Sequence, residues 1–149
     1  MKRIGWILLI CLVAALTACS SEERQALEKN QAVWETQAIQ HYRFNLRIGC
    51  MCPWIGMMPL TVEVKNGEIL AMAASNGGDI TPYLDNFRQH ATIENLFDTV
   101  DSAISERVYR LEVQYDGTYG FPASTVIEQS RLMTDDTTGY YVTNFEVLP

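Results

Sequence analysis

The stretch "LTVEVKNGEILAMA", residues 60–73, decides the fold. Leu60, Val62 and Val64 alternate with Thr61, Glu63 and Lys65, the period of two that gives a strand one apolar and one polar face. Asn66-Gly67 follows, and both residues tolerate the positive φ that a two-residue type I′ turn demands. Such a turn sets Lys65 opposite Glu68, Val64 opposite Ile69 and Val62 opposite Ala71. Charge then faces charge and apolar faces apolar. The pattern predicts an antiparallel hairpin.

Working outward, the same period appears upstream, where Tyr42, Phe44, Leu46 and Ile48 alternate with Arg43, Asn45, Arg47 and Gly49. Before it, residues 22–40 have helical composition, with Leu27, Gln31, Trp34 and Ala38 near one face. Downstream, residues 75–91 carry Gly77-Gly78, Pro82 and many polar side chains, and read as a long irregular loop. Thr92 is placed to cap a helix whose apolar residues, Ile93, Leu96, Phe97, Val100 and Ile104, share one face. Strand patterns follow at Tyr109–Tyr115, Ser124–Gln129 and Tyr140–Val147. There is a loose echo, a helix then strands, twice over. The expected fold is a single α+β domain, an antiparallel sheet of about six strands with two helices packed on one face.

The amino terminus speaks to location. Met1-Lys2-Arg3 precedes an apolar run from Ile4 to Leu16, shorter than the roughly 18–20 residues of a membrane-spanning helix, and small residues follow it. This is a secretory leader. Leu16-Thr17-Ala18-Cys19 matches the bacterial lipobox, which makes residues 1–18 a lipoprotein signal peptide and Cys19 the lipidated first residue of the mature chain. Residues 19–24 then form a short polar tether and residues 25–149 the domain. Ser20, rather than Asp, after the cysteine directs the protein to the outer membrane, facing the periplasm, if the cell is Gram-negative. Removing the leader takes Lys2 and Arg3 with it and leaves nine basic against 18 acidic residues. That balance excludes an electrostatic footprint for nucleic acid and a basic grip on anionic lipid, so acyl chains must do the anchoring.

With Cys11 removed and Cys19 consumed by lipid, Cys50 and Cys52 remain, an even pair in a compartment that permits disulfides. If the strand from Tyr42 runs on, both sulfurs point inward on the side of Ile48. Positions i and i+2 of an extended strand lie about 6.5–7 Å apart, at the limit for a disulfide, so a bond requires a bend at Met51. Pro53 makes a departure from regular strand natural. Three readings stay open: a local disulfide staple or buried thiol pair, a redox-active pair, and a soft-metal site for Cu(I) formed by Cys50 and Cys52 with Met57 and Met58. Elsewhere the signals are weak. His41 and His90 are isolated in sequence. Asp79 with Asp135-Asp136 suggests turn chemistry before calcium. Glu94, Asp98 and Asp101 lie along one side of the second helix, where Glu94 suits the dipole. Tyr115, Tyr119, Phe121, Tyr140 and Tyr141 suit a sheet core or a binding surface. No nucleophile elbow, P-loop or dinucleotide fingerprint occurs.

In order along the chain stand Tyr42-Arg43-Phe44, Cys50-Met51-Cys52, Val64-Lys65-Asn66-Gly67, Thr92-Ile93-Glu94-Asn95-Leu96-Phe97 and Tyr115-Asp116 with Gly120-Phe121-Pro122. This ordered set resembles a bacterial family of unknown function, domain 6174, found in secreted proteins and lipoproteins. The resemblance runs from about Trp34 to Val147. It implies a small exported domain with a Cys-x-Cys element and supplies no activity or catalytic residue. The expected function is therefore that of a non-enzymatic envelope lipoprotein. It would bind the membrane through its lipid and an envelope protein through its domain, with no cofactor.

Overall fold

The computed structural model describes residues 22–132 and 135–149. Helix α1, residues 22–37, leads into strand β1, His41–Gly49, and then into the hairpin of β2, Leu60–Lys65, and β3, Glu68–Ala74. A short helix α2, Leu84–Arg88, precedes α3, Ile93–Glu106, and three more strands complete the chain: β4, Arg110–Tyr115, β5, Pro122–Glu128, and β6, Thr137–Val147. All six strands form one antiparallel sheet in the order β3-β2-β1-β6-β5-β4. The echo in the sequence is thus real. Each half is a helix followed by a three-stranded meander, and β1 of the first half pairs with β6 of the second. Among the described residues, no helix is long and apolar enough to cross a membrane.

Local chemistry places most of these elements. Asn66 and Gly67 adopt φ of 53° and 77°, as the hairpin turn requires. The Thr92 hydroxyl accepts the Asn95 N–H at 3.1 Å and starts α3, while Arg107 in the left-handed region ends it. The face expected of α3 is the one it buries, with Ala103 added. Two differences mark the helices. Helix α1 already runs at residue 22, so the stretch expected as tether is shorter, and Arg24 forms an ion pair with Asp101 on α3. The segment 75–91 is not an irregular loop throughout. A 3-10 turn at Thr81–Tyr83 and helix α2 bring Phe87 to 0 % exposure. Burying such a ring stabilises by about 2 kcal/mol, enough to hold a five-residue helix that has little stability alone.

The sheet also departs from simple alternation at three register shifts, one at Gln114–Tyr115 of β4 and two that set core residues. Lys65 pairs with Glu68 and Val64 with Ile69 as expected, but the register then slips, and Val62 faces Met72 instead of Ala71. The extra residue leaves Leu70 62 % exposed and turns Met72 and Ala74 toward the core. In β6 a second slip lies opposite the Arg43–Asn45 stretch, where Asn144 takes φ of 52°. It moves Phe145, rather than residue 144, to the side of Tyr140 and Val142. There its ring lies 4.7 Å from Phe121, 5.6 Å from Tyr42 and 5.9 Å from Trp34.

That aromatic cluster fixes α1 on the sheet, and a single carboxylate completes it. Glu94 Oε1 accepts the Trp34 indole N–H and Glu94 Oε2 the Tyr42 hydroxyl, both at 3.0 Å. The Tyr42 oxygen in turn accepts the Ile93 N–H at 3.1 Å. Gly120, with φ of 80°, permits the β4–β5 loop to touch α1: a Cβ there would sit 2.6 Å from the Asn30 carbonyl oxygen. Replacing Glu94 with Ala orphans the buried Tyr42 hydroxyl and the indole, and should lower unfolding free energy by about 1–3 kcal/mol. Glu94→Gln, which keeps one acceptor, should lose less; chemical denaturation of both variants checks this.

Burial raises the pKa of Tyr42, with the Glu94 charge adding to it, and burial also raises Tyr140 and takes Tyr115 to about 12. These phenols keep their protons in the folded chain after the unfolded chain has released its own near pH 10. Their contribution to stability is therefore full below that pH and declines above it. In an alkaline titration, phenolate absorbance from these three residues should appear together with loss of near-ultraviolet circular dichroism, not before it.

Candidate functional site

The Cys-x-Cys element follows the end of β1. The strand stops at Gly49, the chain bends through Cys50 and Met51, and the two Cα atoms come to 5.2 Å with the sulfurs in disulfide contact. The regular strand does not continue through the pair, yet the alternation of sides does: Met51 turns outward, 80 % exposed, and both cysteines are half-buried. The segment then closes through a 3-10 turn, Ile55–Met57, held by the Asn76 amide donating to the Gly56 carbonyl at 2.8 Å. Trp54 sits beneath, against Tyr83 at 5.3 Å and edge-on to Phe87 at 5.9 Å. The missed helix α2 is thus what seats this segment. Its signal was present in sequence, for Tyr83, Leu84, Phe87 and Ala91 recur at helical spacing.

A cleft of about 160 Å³ opens beside the disulfide, walled by both cysteines, Ile48, Trp54, Phe87, His90 and Tyr140 among others. Trp54 Nε1 is buried there without an acceptor. His90 stands between the cleft and α3. The Thr99 hydroxyl donates to the Asn95 carbonyl at 2.8 Å, so its oxygen accepts from His90 Nδ1 at 3.0 Å. That tautomer leaves Nε2 as an acceptor, with the Tyr140 hydroxyl 3.4 Å away. Burial lowers the His90 pKa and raises that of Tyr140, so both are neutral near pH 7. The cleft thus joins an electrophilic disulfide to a neutral imidazole and a phenol. Sequence reading did not connect His90 to the cysteines.

The other candidates lie apart. Met58 Sδ accepts the Ile48 N–H at 3.3 Å, Met57 packs against the core, and neither forms a wall of the cleft. His41 is bound to Glu63 at 2.9 Å and to the Pro149 carbonyl, on β1 rather than near His90. Asp79 accepts the Thr81 N–H in a local turn. Glu94 and Asp101 are engaged with Trp34, Tyr42 and Arg24. Tyr119, Phe121 and Tyr140 face inward, whereas Tyr141 lies on the exposed side of the sheet. Among the described residues, no three His, Cys, Asp or Glu side chains gather to hold a metal ion. The expected leader and Cys19 lie outside the described residues.

Removing the disulfide as Cys50→Ser with Cys52→Ser opens a ring spanning only three residues. Chain entropy values such a ring at about 1.5 kcal/mol. The variant should fold, with its unfolding free energy lowered by about that amount in chemical denaturation and amide exchange faster in residues 50–58 than elsewhere.

Both cysteines, all six strands, α2, α3 and all but the first turn of α1 fall within residues 26–147, the span over which the chain matches the model of a family of unknown function, DUF6174. No curated protein and no solved structure matches the chain. The chain belongs to the DUF6174 family of unknown function.

Proposed function

We propose that this chain is a lipid-anchored domain of the bacterial cell envelope that binds a partner and does not convert it. The observation that carries this reading is the pairing of Cys50 with Cys52 in a chain whose leader ends in Leu16-Thr17-Ala18-Cys19. A disulfide persists in an oxidising compartment, and the leader directs the chain to one. The acidic balance and the short distance from Cys19 to α1 fit a domain held close to a membrane by acyl chains. A binding role is supported by how the titratable groups are engaged. Glu94 and His41 serve as structural acceptors and partners.

One observation favours a second reading, Cu(I) or thiol-redox handling by Cys50 and Cys52 with Met57 and Met58: both sulfurs wall a cleft shared with His90. Thiol labelling with and without reductant separates the two. The binding reading expects no label until reduction and no copper bound; free thiols that take up Cu(I) stoichiometrically overturn it. For the anchor, wild-type chain should fractionate with membranes and incorporate labelled palmitate, and Cys19→Ala should do neither. Palmitate on the Cys19→Ala chain would refute the assignment.

A further inference from the structure

A broad apolar recess lies at the β4 edge of the sheet, far in sequence from the disulfide. It is a cleft of about 550 Å³ lined by Ala26 of α1, Val100 and Ile104 of α3, and Leu111, Val113 and Tyr115 of β4. Strand β4 is the last in the sheet, with β5 on one side and no strand on the other. Leu111, Val113 and Tyr115 point toward the helices yet stay only half-buried. The volume falls within the roughly 300–1,000 Å³ of sites that enclose small ligands.

We propose that this cleft seats an acyl chain of the protein's own lipid anchor on Cys19, an inference that rests on the anchor reading above. Three observations favour that occupant. Glu23 forms part of the wall, and Cys19 precedes Glu22 by three residues, at most about 11 Å of chain. The attachment point therefore reaches the mouth. Helix α1 is held in place at this end by Arg24, which pairs with Asp101 and donates to Ser105 at 3.1 Å, so the chain that leads back to Cys19 starts beside the cleft. Of the charged groups that line it, Glu112 is paired with Arg110 on the outward side of β4, and Glu23 at the mouth is acidic. Glu23 disfavours a free fatty acid or an anionic headgroup and leaves a neutral chain, joined through amide, ester or thioether, as the fitting one. Burial together with the Glu23 charge raises the Tyr115 phenol, consistent with a poorly hydrated wall.

The test uses the full-length lipidated chain, carrying ¹³C-methyl Ile, Leu and Val, extracted into perdeuterated detergent so that the anchor supplies the only acyl protons. Mass spectrometry confirms the lipid. Nuclear Overhauser contacts should join acyl methylenes to methyls of Val100, Ile104, Leu111 and Val113. Ala26→Phe, which fills the cleft from an exposed helix position, should remove them while lipid and fold remain. Lipid present on Cys19 without these contacts overturns the inference and leaves the anchor reading standing. Contacts that appear only between differently labelled chains overturn it in favour of a second copy. A mature chain without lipid sinks both.

Discussion

One carboxylate holds the two halves of this domain in register. Glu94 begins α3, yet its oxygens accept hydrogen bonds from Trp34 on α1 and Tyr42 on β1, while Ile93 donates to the same tyrosine. Three elements distant in sequence meet within two side-chain lengths. The charge sits in the first turn of α3, where the helix dipole already favours it. With Trp34 fixed in orientation, its ring meets Tyr42, Phe121 and Phe145 edge-on. The aromatic cluster, the entry of α1 onto the sheet and the β1–β6 junction therefore depend on a single ionised group.

The elements legible in sequence were those whose signal is local. Asn66-Gly67 announces its turn because two adjacent residues need positive φ, and Thr92 announces its helix because one hydroxyl reaches three residues on. The bulges at Leu70 and Asn144 are different. Each is decided by which side chain the core requires, Met72 over Ala71 and Phe145 over Asn144, and that depends on partners across the sheet. Helix α2 was obscured because Gly77, Gly78 and Pro82 signal a breaker, although Phe87 anchors the turn that follows. Glu94 was readable as a dipole partner but not as the acceptor for two other elements.

The site divides along the same line. Cys50 and Cys52 are conspicuous in sequence, and the bend their disulfide needs is supplied where β1 stops at Gly49. His90 and Tyr140 are not conspicuous, because they arrive from the end of α2 and the start of β6, about 40 and 90 residues away. Their neutrality follows from burial, which no local pattern announces. Met57 and Met58, close in sequence, are drawn into packing instead. Topology, not proximity along the chain, brings His90 beside the sulfurs.

The two edges of the sheet are protected differently, and this bears on what the β4 cleft is for. An unpaired edge invites pairing with another chain unless something blunts it. On β3 the bulge at Leu70 disrupts the ladder, and the adjoining turn carries Lys65 and Glu68. Strand β4 presents Arg110, Glu112 and Gln114 outward, with Arg110 bonded to Glu112 at 2.6 Å, which suits water on that face. Its inward face is apolar and packs only in part against the core, the buried face of α3 ending with Ile104. The fold thus protects the solvent side of β4 with its own charges and leaves the core side incomplete, at the place where α1 begins. An acyl chain entering there adds apolar contact without using a backbone hydrogen bond, so it completes the core while leaving the edge ladder unchanged.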